Sequence, residues 1–133
     1  MSEGFKLEIV NPEKSFLSKD GVSEVVVPAF EGDMGILKDH ISIISFLRPG
    51  LLRIIDSKSS EETFYVEDGI IEFKNNCLSI LTSNIFDIKK IDKNKLRDNL
   101  VKAEKEVQNP EISDQEKYLV NHKIEVLKSL TLN

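Results

Sequence analysis

Apolar and charged residues alternate near the start of the chain. Phe5-Lys6-Leu7-Glu8-Ile9 puts its apolar side chains on one side and its charges on the other, the period-2 signature of a strand with one buried face. Asn11-Pro12-Glu13 ends that strand. Phe16-Leu17 begins a second short extended piece, Lys19-Asp20-Gly21 reads as a turn, and the β-branched residues 22–27 make a strand closed by Pro28. Residues 41–47 are apolar and serine-spaced, Arg48-Pro49-Gly50 interrupts them, and residues 51–55 resume the pattern. A polar, serine-rich turn over residues 56–62 precedes Thr63-Phe64-Tyr65-Val66. Asp68-Gly69 is a strong hairpin signal. Residues 70–73 and 78–82 flank Lys74-Asn75-Asn76 and read as two more strands. Short strands at this spacing, with no room for a helix before residue 88, predict an all-β sandwich, a flattened antiparallel barrel, rather than βαβ units. Leu7, Ile9, Val26, Ile54, Val66, Ile80 and Leu81 are its candidate interior residues.

After residue 88 the period changes. Leu96, Leu100, Ala103 and Val107 recur at helical spacing, with Asp92 as N-cap and Asn109-Pro110 as the stop. Ser113-Asp114-Gln115-Glu116 has capping-box spacing and predicts a second helix to about Leu130. Its apolar stripe is Val120, Ile124, Leu127 and Leu130, with Leu119 and Val126 beside it. Two helices joined by a short link form an antiparallel hairpin. At roughly 16–18 residues each they depend on packing to stay folded. The expected organisation is therefore a sandwich over residues 1–88 and an α-helical hairpin over 89–133.

Composition narrows the class. Of the 133 residues, 40% are apolar and 31% charged, the balance of an ordinary soluble domain with a core. No apolar run approaches the roughly 20 residues of a spanning helix. Met1-Ser2-Glu3-Gly4 carries no positive leader with an apolar stretch, so no signal peptide is expected. Cys77 is the single cysteine, which excludes an internal disulfide. Its apolar surroundings predict a buried small hydrophobe. Residues 1–88 carry net −7 and residues 89–133 net +2, and the acidic first part argues against nucleic acid and against direct docking on anionic lipid.

Functional chemistry concentrates between Pro28 and His40. Gly32 and Gly35 sit around Asp33 and Met34 just after the β-branched run, so the backbone is expected to need positive φ or tight packing there. Phe30, Glu31 and Asp33 give this connection both charge and apolar bulk, which suits a surface loop that touches another protein. Catalytic patterns are missing from the sequence: no phosphate loop, no dinucleotide fingerprint, no nucleophile elbow, and no metal-ligand spacing around His40 and His122. His122 lies off the apolar stripe of its helix and reads as solvated or partner-facing. The alternative to a binding role is a stand-alone β-sandwich enzyme or ligand-binding module with its site around His40, Glu31 and Asp33.

Glu31-Gly32-Asp33-Met34-Gly35-Ile36-Leu37 followed by His40 resembles a diagnostic loop of the epsilon subunit of the bacterial rotary proton-translocating ATP synthase. In the same order, Leu7-Glu8-Ile9-Val10 with Pro12-Glu13-Lys14 is similar to that family's opening strand and turn. Pro49-Gly50-Leu51-Leu52-Arg53-Ile54, Phe64-Tyr65-Val66 and Asp68-Gly69-Ile70-Ile71-Glu72-Phe73 continue the match. The resemblance implies a non-catalytic central-stalk subunit that couples rotation of the membrane ring to the catalytic head. It implies a sandwich that contacts the gamma subunit and the ring's polar loops, and C-terminal helices able to reach the alpha/beta head and restrain ATP hydrolysis. It also implies a peripheral location on the cytoplasmic face of the bacterial inner membrane. Phe30, Glu31, Gly32 and Asp33 become ring-facing residues and His40 a gamma-facing one, with no catalytic or metal-binding residues.

The chain departs from the family in places. Ile41-Ser42 stands where Ala-Pro is frequent, and Asp68-Gly69 where Gly-Gly is frequent. Some members bind regulatory ATP through Ile/Leu-Asp-x-x-Arg-Ala, to which Ile91-Asp92-Lys93-Asn94-Lys95-Leu96 corresponds. Asp92 and Lys95 would be the nucleotide contacts. Lysine lacks arginine's planar fork and Leu96 adds bulk, and the second helix has no arginine. The expectation is therefore no cofactor.

Overall fold

The computed structural model describes residues 4–12 and 15–132. The opening residues Met1-Ser2-Glu3 and the Glu13-Lys14 part of the first turn, both used above, lie outside the described residues. Among the described residues nine strands come first: β1 (Phe5–Val10), β2 (Ser15–Ala29), β3 (Gly32–Leu37), β4 (Ile43–Phe46), β5 (Gly50–Asp56), β6 (Glu61–Val66), β7 (Ile70–Lys74), β8 (Cys77–Leu81) and β9 (Ile85–Asp87). Two helices follow, α1 (Lys93–Val107) and α2 (Asp114–Thr131). The strands form one hydrogen-bonded path, β4-β7-β8-β1-β2-β5-β6-β9, with β3 added alongside β2.

The long strand β2 joins the two layers of the sandwich. Its first half pairs with β1, and its second half pairs with β3 and β5. Lys19-Asp20-Gly21 is therefore not the turn its composition suggests. The strand runs straight through it, Gly21 takes φ +67°, and the β2–β5 register slips between Val22 and Glu24. A glycine bulge bends a strand without ending it, which is how one strand serves both layers. A second departure from the antiparallel expectation is β1 with β8, which run parallel.

The interior between the layers is aliphatic with a few aromatic rings. Leu7, Ile9, Ile71, Leu78, Val25, Ile36 and Ile54 are among its fully buried side chains, and Phe5 meets Phe73 edge to face at 5.5 Å. Two expected interior residues lie elsewhere. Val26 is half-buried between the inward-facing Val25 and Val27, and Leu81 is 49% exposed beside the inward-facing Ile80. Strand alternation fixes both outcomes, because neighbours of an inward residue point outward. Cys77 is likewise only partly buried, at the start of β8.

Residues 64–66 are buried in succession, which a strand wetted on one face cannot achieve. Phe64 and Val66 enter the sandwich interior, while Tyr65 faces outward and is covered by the helical hairpin. Tyr65 pairs across the sheet with Leu51 on one side and Phe86 on the other. This outward row receives Leu96 and Leu100 of α1 and Leu127 and Leu130 of α2. Both helices begin as their sequences predict. Asp92 caps α1 by accepting from the Asn94 N–H at 2.9 Å, and the Ser113 hydroxyl accepts from the Glu116 N–H at 3.1 Å.

Candidate interaction site at the β2–β3 turn

Most of the Pro28 to His40 segment is strand rather than loop. β2 and β3 pair continuously from Glu24↔Leu37 to Ala29↔Gly32, leaving Phe30 and Glu31 as a two-residue hairpin turn. Gly32 takes φ +149°, and nothing lies within 4 Å of where a Cβ would sit. The glycine is thus required by backbone angle, not by crowding. Gly35 keeps negative φ and faces only the flexible Glu24 carboxylate, so its share of the expected constraint is small.

The turn is held from three sides. The Phe30 N–H donates to the Phe46 carbonyl at 2.8 Å and the Arg48 N–H to the Pro28 carbonyl at 2.9 Å. From the hairpin, the Tyr118 hydroxyl donates to the Phe30 carbonyl at 2.6 Å, and the Tyr118 and Phe30 rings lie 5.0 Å apart. Glu31 and Asp33 remain exposed on this braced frame. Phe30, Glu31, Asp33 and Met34, together with Ile44 and Phe46 of β4, line an open groove of about 560 Å3. Two carboxylates presented on a rigid, part-apolar tip can accept charge-assisted hydrogen bonds from a basic partner.

The structure therefore gathers Phe30, Glu31, Gly32 and Asp33 in one tip and leaves His40 out. β3 separates them by about 13 Å from Asp33 to Leu37 alone, at roughly 3.3 Å per residue. His40 sits beyond that far end, with Nδ1 2.8 Å from the Ile41 carbonyl and its ring edge-on to Phe73 at 5.9 Å. Paired hydrogen bonds between Asp39 and Asn76, at 2.7 and 2.9 Å, pin this loop to the β7–β8 turn. A single catalytic site built from His40, Glu31 and Asp33 does not exist in this arrangement. Among the described residues no group of three or more His, Cys, Asp or Glu side chains could hold a metal ion.

Sequence reading missed the residues that tie the hairpin to this tip. Arg48 Nη1 donates to the Tyr118 hydroxyl at 3.1 Å and lies 3.3 Å from His122 Nε2. The Tyr118 and His122 rings meet edge to face at 4.6 Å. His122 is therefore only partly solvated, and its ring faces the sandwich. Burial, and next the Arg48 cation, hold its imidazole below the ordinary 6.5, against smaller opposing effects of Glu125 and Asp33. Lower on the same helix Lys123 pairs with Glu67 at 3.3 Å. Glu67 also lies 3.3 Å from the Tyr65 hydroxyl, whose pKa burial pushes up. The available signal was Tyr118 and His122 at i, i+4, which share one helix face.

A β-sandwich with a two-helix hairpin docked on its outer face, bonded to one of its turns, defines the structural class. Residues 4–88 match the family model described as ATP synthase, Delta/Epsilon chain, beta-sandwich domain. The chain is 68% identical over 130 residues to the ATP synthase epsilon chain of Pelagibacter ubique (strain HTCC1062), covering 98% of this chain and 99% of that one. It is 34% identical to the epsilon chain of Dichelobacter nodosus (strain VCS1703A), over 84% of this chain and 77% of the relative. It is also 36% identical to the sodium ion specific epsilon chain of Propionigenium modestum, over 66% and 63%. The chain belongs to the ATP synthase epsilon-chain family. Its fold is similar to a chain in the Euglena gracilis mitochondrial ATP synthase, at TM-score 0.77 and 19% identity, over 99% of this chain and 82% of that one. A chain from the central stalk and ring of the Tetrahymena thermophila enzyme matches at TM-score 0.65 and 17% identity, over 98% of both.

Proposed function

We propose that this chain is a non-catalytic central-stalk subunit of a bacterial proton-translocating ATP synthase, coupling rotation of the membrane ring to the catalytic head. The observation that carries this reading is the 68% identity to an epsilon chain along nearly the whole of both sequences. The chain works mechanically: a stiff sandwich grips its neighbours and passes torque between them. No described helix is long and apolar enough to cross a membrane. In this reading the subunit binds peripherally, on the cytoplasmic face of the inner membrane, through its protein partners.

Two surfaces divide the contacts. The tip formed by Phe30, Glu31, Gly32 and Asp33 meets the polar loops of the ring, its exposed carboxylates setting register against basic groups. The His40 side meets the gamma subunit. Ile41 beside it is 78% exposed, and Ile44 and Phe46, which lead along β4 from there to the tip, are 70% and 65% exposed; among the described strands β4 pairs with β7 alone. An apolar, half-unpaired sheet edge is a liability unless another chain covers it.

Regulatory ATP has no place in this reading. The Asp92 carboxylate is engaged in capping α1, and Lys95 is exposed one residue before the buried Leu96. Calorimetric titration with ATP should give no binding heat at micromolar concentrations, and saturation there would overturn the point. The main test is copurification of the tagged chain from detergent-solubilised membranes. Gamma and the ring subunit should come with it; recovery of the chain without either would refute the assignment.

A further inference from the structure

We propose that α2 is fastened to the sandwich by a proton-sensitive clasp of Arg48, Tyr118 and His122, which opens when His122 gains a proton. The inference does not depend on the rotor assignment, because it concerns contacts within one chain.

The clasp dictates the protonation state of His122. A guanidinium offers only N–H donors, so the nitrogen 3.3 Å from Arg48 Nη1 must carry a lone pair. The imidazole is then neutral with its proton on Nδ1, the side on which Glu125 Oε2 lies 3.9 Å away. Adding a proton at Nε2 sets one N–H against another and one cation against another. Every charged group around the ring can be assigned. Arg48 from the β4–β5 connection opposes the extra charge, and Arg53 of β5 lines the same cleft. Asp33 of β3 and Glu125 of α2 favour the charge, but both are exposed and water screens them. Burial and Arg48 prevail.

The sign of the pH dependence follows. In the docked chain His122 titrates below its ordinary value, whereas released into water it titrates near about 6.5. Between those two values the undocked form holds more protons, so docking strengthens as pH rises. The stabilisation is fully present above the ordinary value and is lost as pH falls from there through the docked value.

Opening has a defined reach. Tyr118 and His122 lie in the first half of α2, where Val120 is the buried residue, while Leu127 and Leu130, which join the apolar cluster around Tyr65, lie in the second. Acid therefore frees the first half of α2 and withdraws the Tyr118 bond from the Phe30 carbonyl. One proton loosens both the helix and the acidic tip.

The test is a pH titration of the ¹⁵N-labelled full chain by NMR from pH 8 to 5, with His40→Gln in every sample so that His122 is the only histidine. Amides of Phe30, Glu31, Tyr118 and His122 should shift together with one apparent pKa below 6.5. Hydrogen exchange in the first half of α2 should rise in step, after correction for intrinsic pH dependence. His122→Gln cannot titrate and retains an oxygen that accepts from Arg48, so its profile should be flat. Arg48→Met should move the His122 titration upward. Amides of Leu78 and Ile80 in the sandwich interior should stay unchanged throughout, showing that the body remains folded. The same profile with and without His122, or titration of His122 with no response at Phe30 and Tyr118, overturns the proposal.

Discussion

The two faces of the β5–β6 region are buried by different means. Inward, Leu52, Ile54, Phe64 and Val66 enter a continuous aliphatic interior in which no side chain carries charge. Outward, Tyr65, Leu96 and Leu127 are fully covered while Leu51, Phe86, Leu100 and Leu130 beside them are only partly buried, and polar contacts flank this apolar patch: Arg48 with Tyr118 and His122, and Lys123 with Glu67. An aliphatic interior is insensitive to pH and loses stability only when atoms are removed. A joint whose apolar contacts are mostly partial, and which adds several titratable bonds, can be loosened without unfolding the body. The same chain thus holds a fixed body and an adjustable appendage.

Substitutions should separate these regimes. Phe73→Ala, which empties a buried site against Phe5, should cost about 3–5 kcal/mol and unfold the sandwich and hairpin together in urea. Leu127→Ala removes the most buried anchor of the outer joint and should cost the hairpin roughly 2–4 kcal/mol. Helical circular dichroism should then melt ahead of the β signal; a single coincident transition would show that the two regions are not separable. Gly32→Ala forces a side chain onto backbone at φ +149° and should cost about 1–3 kcal/mol, read as a lowered urea midpoint with an unchanged slope. Smallest is Lys123→Ala. This partly exposed ion pair with Glu67 should be worth about 1 kcal/mol or less, and adding salt should shrink even that difference.

The clasp connects the regimes at one point. Because Tyr118 bonds a backbone carbonyl of the β2–β3 turn, the state of the appendage is felt at the acidic tip of the body.

How much of this was legible beforehand depended on whether the cause was local. Alternation in β1 and the Asp92 and Ser113 caps act over a few residues, and each appears where the sequence places it, whereas Asp68-Gly69 closes no hairpin: it is a bend between β6 and β7, which pair with other strands and not with each other. The β-sandwich and helical hairpin followed from those signals, and the tip residues were recognisable from motif. Local composition misled at Lys19-Asp20-Gly21, because pairing of β2 with β1 and β5 carried the strand through turn-forming residues. It misled again between Gly32 and Leu37, where six residues of β2 turned an apparent loop into a strand.

By itself the sequence determined the order of sandwich then hairpin, both helices with their caps, and the family, since these rest on periodicity, capping and motif order. Only the tertiary structure decided that His40 stands apart from Glu31 and Asp33, and that Arg48 meets Tyr118 and His122 across 70 and 74 positions of chain. Contacts between distant segments depend on how the layers and the hairpin pack in space, and no pattern confined to neighbouring residues encodes that geometry.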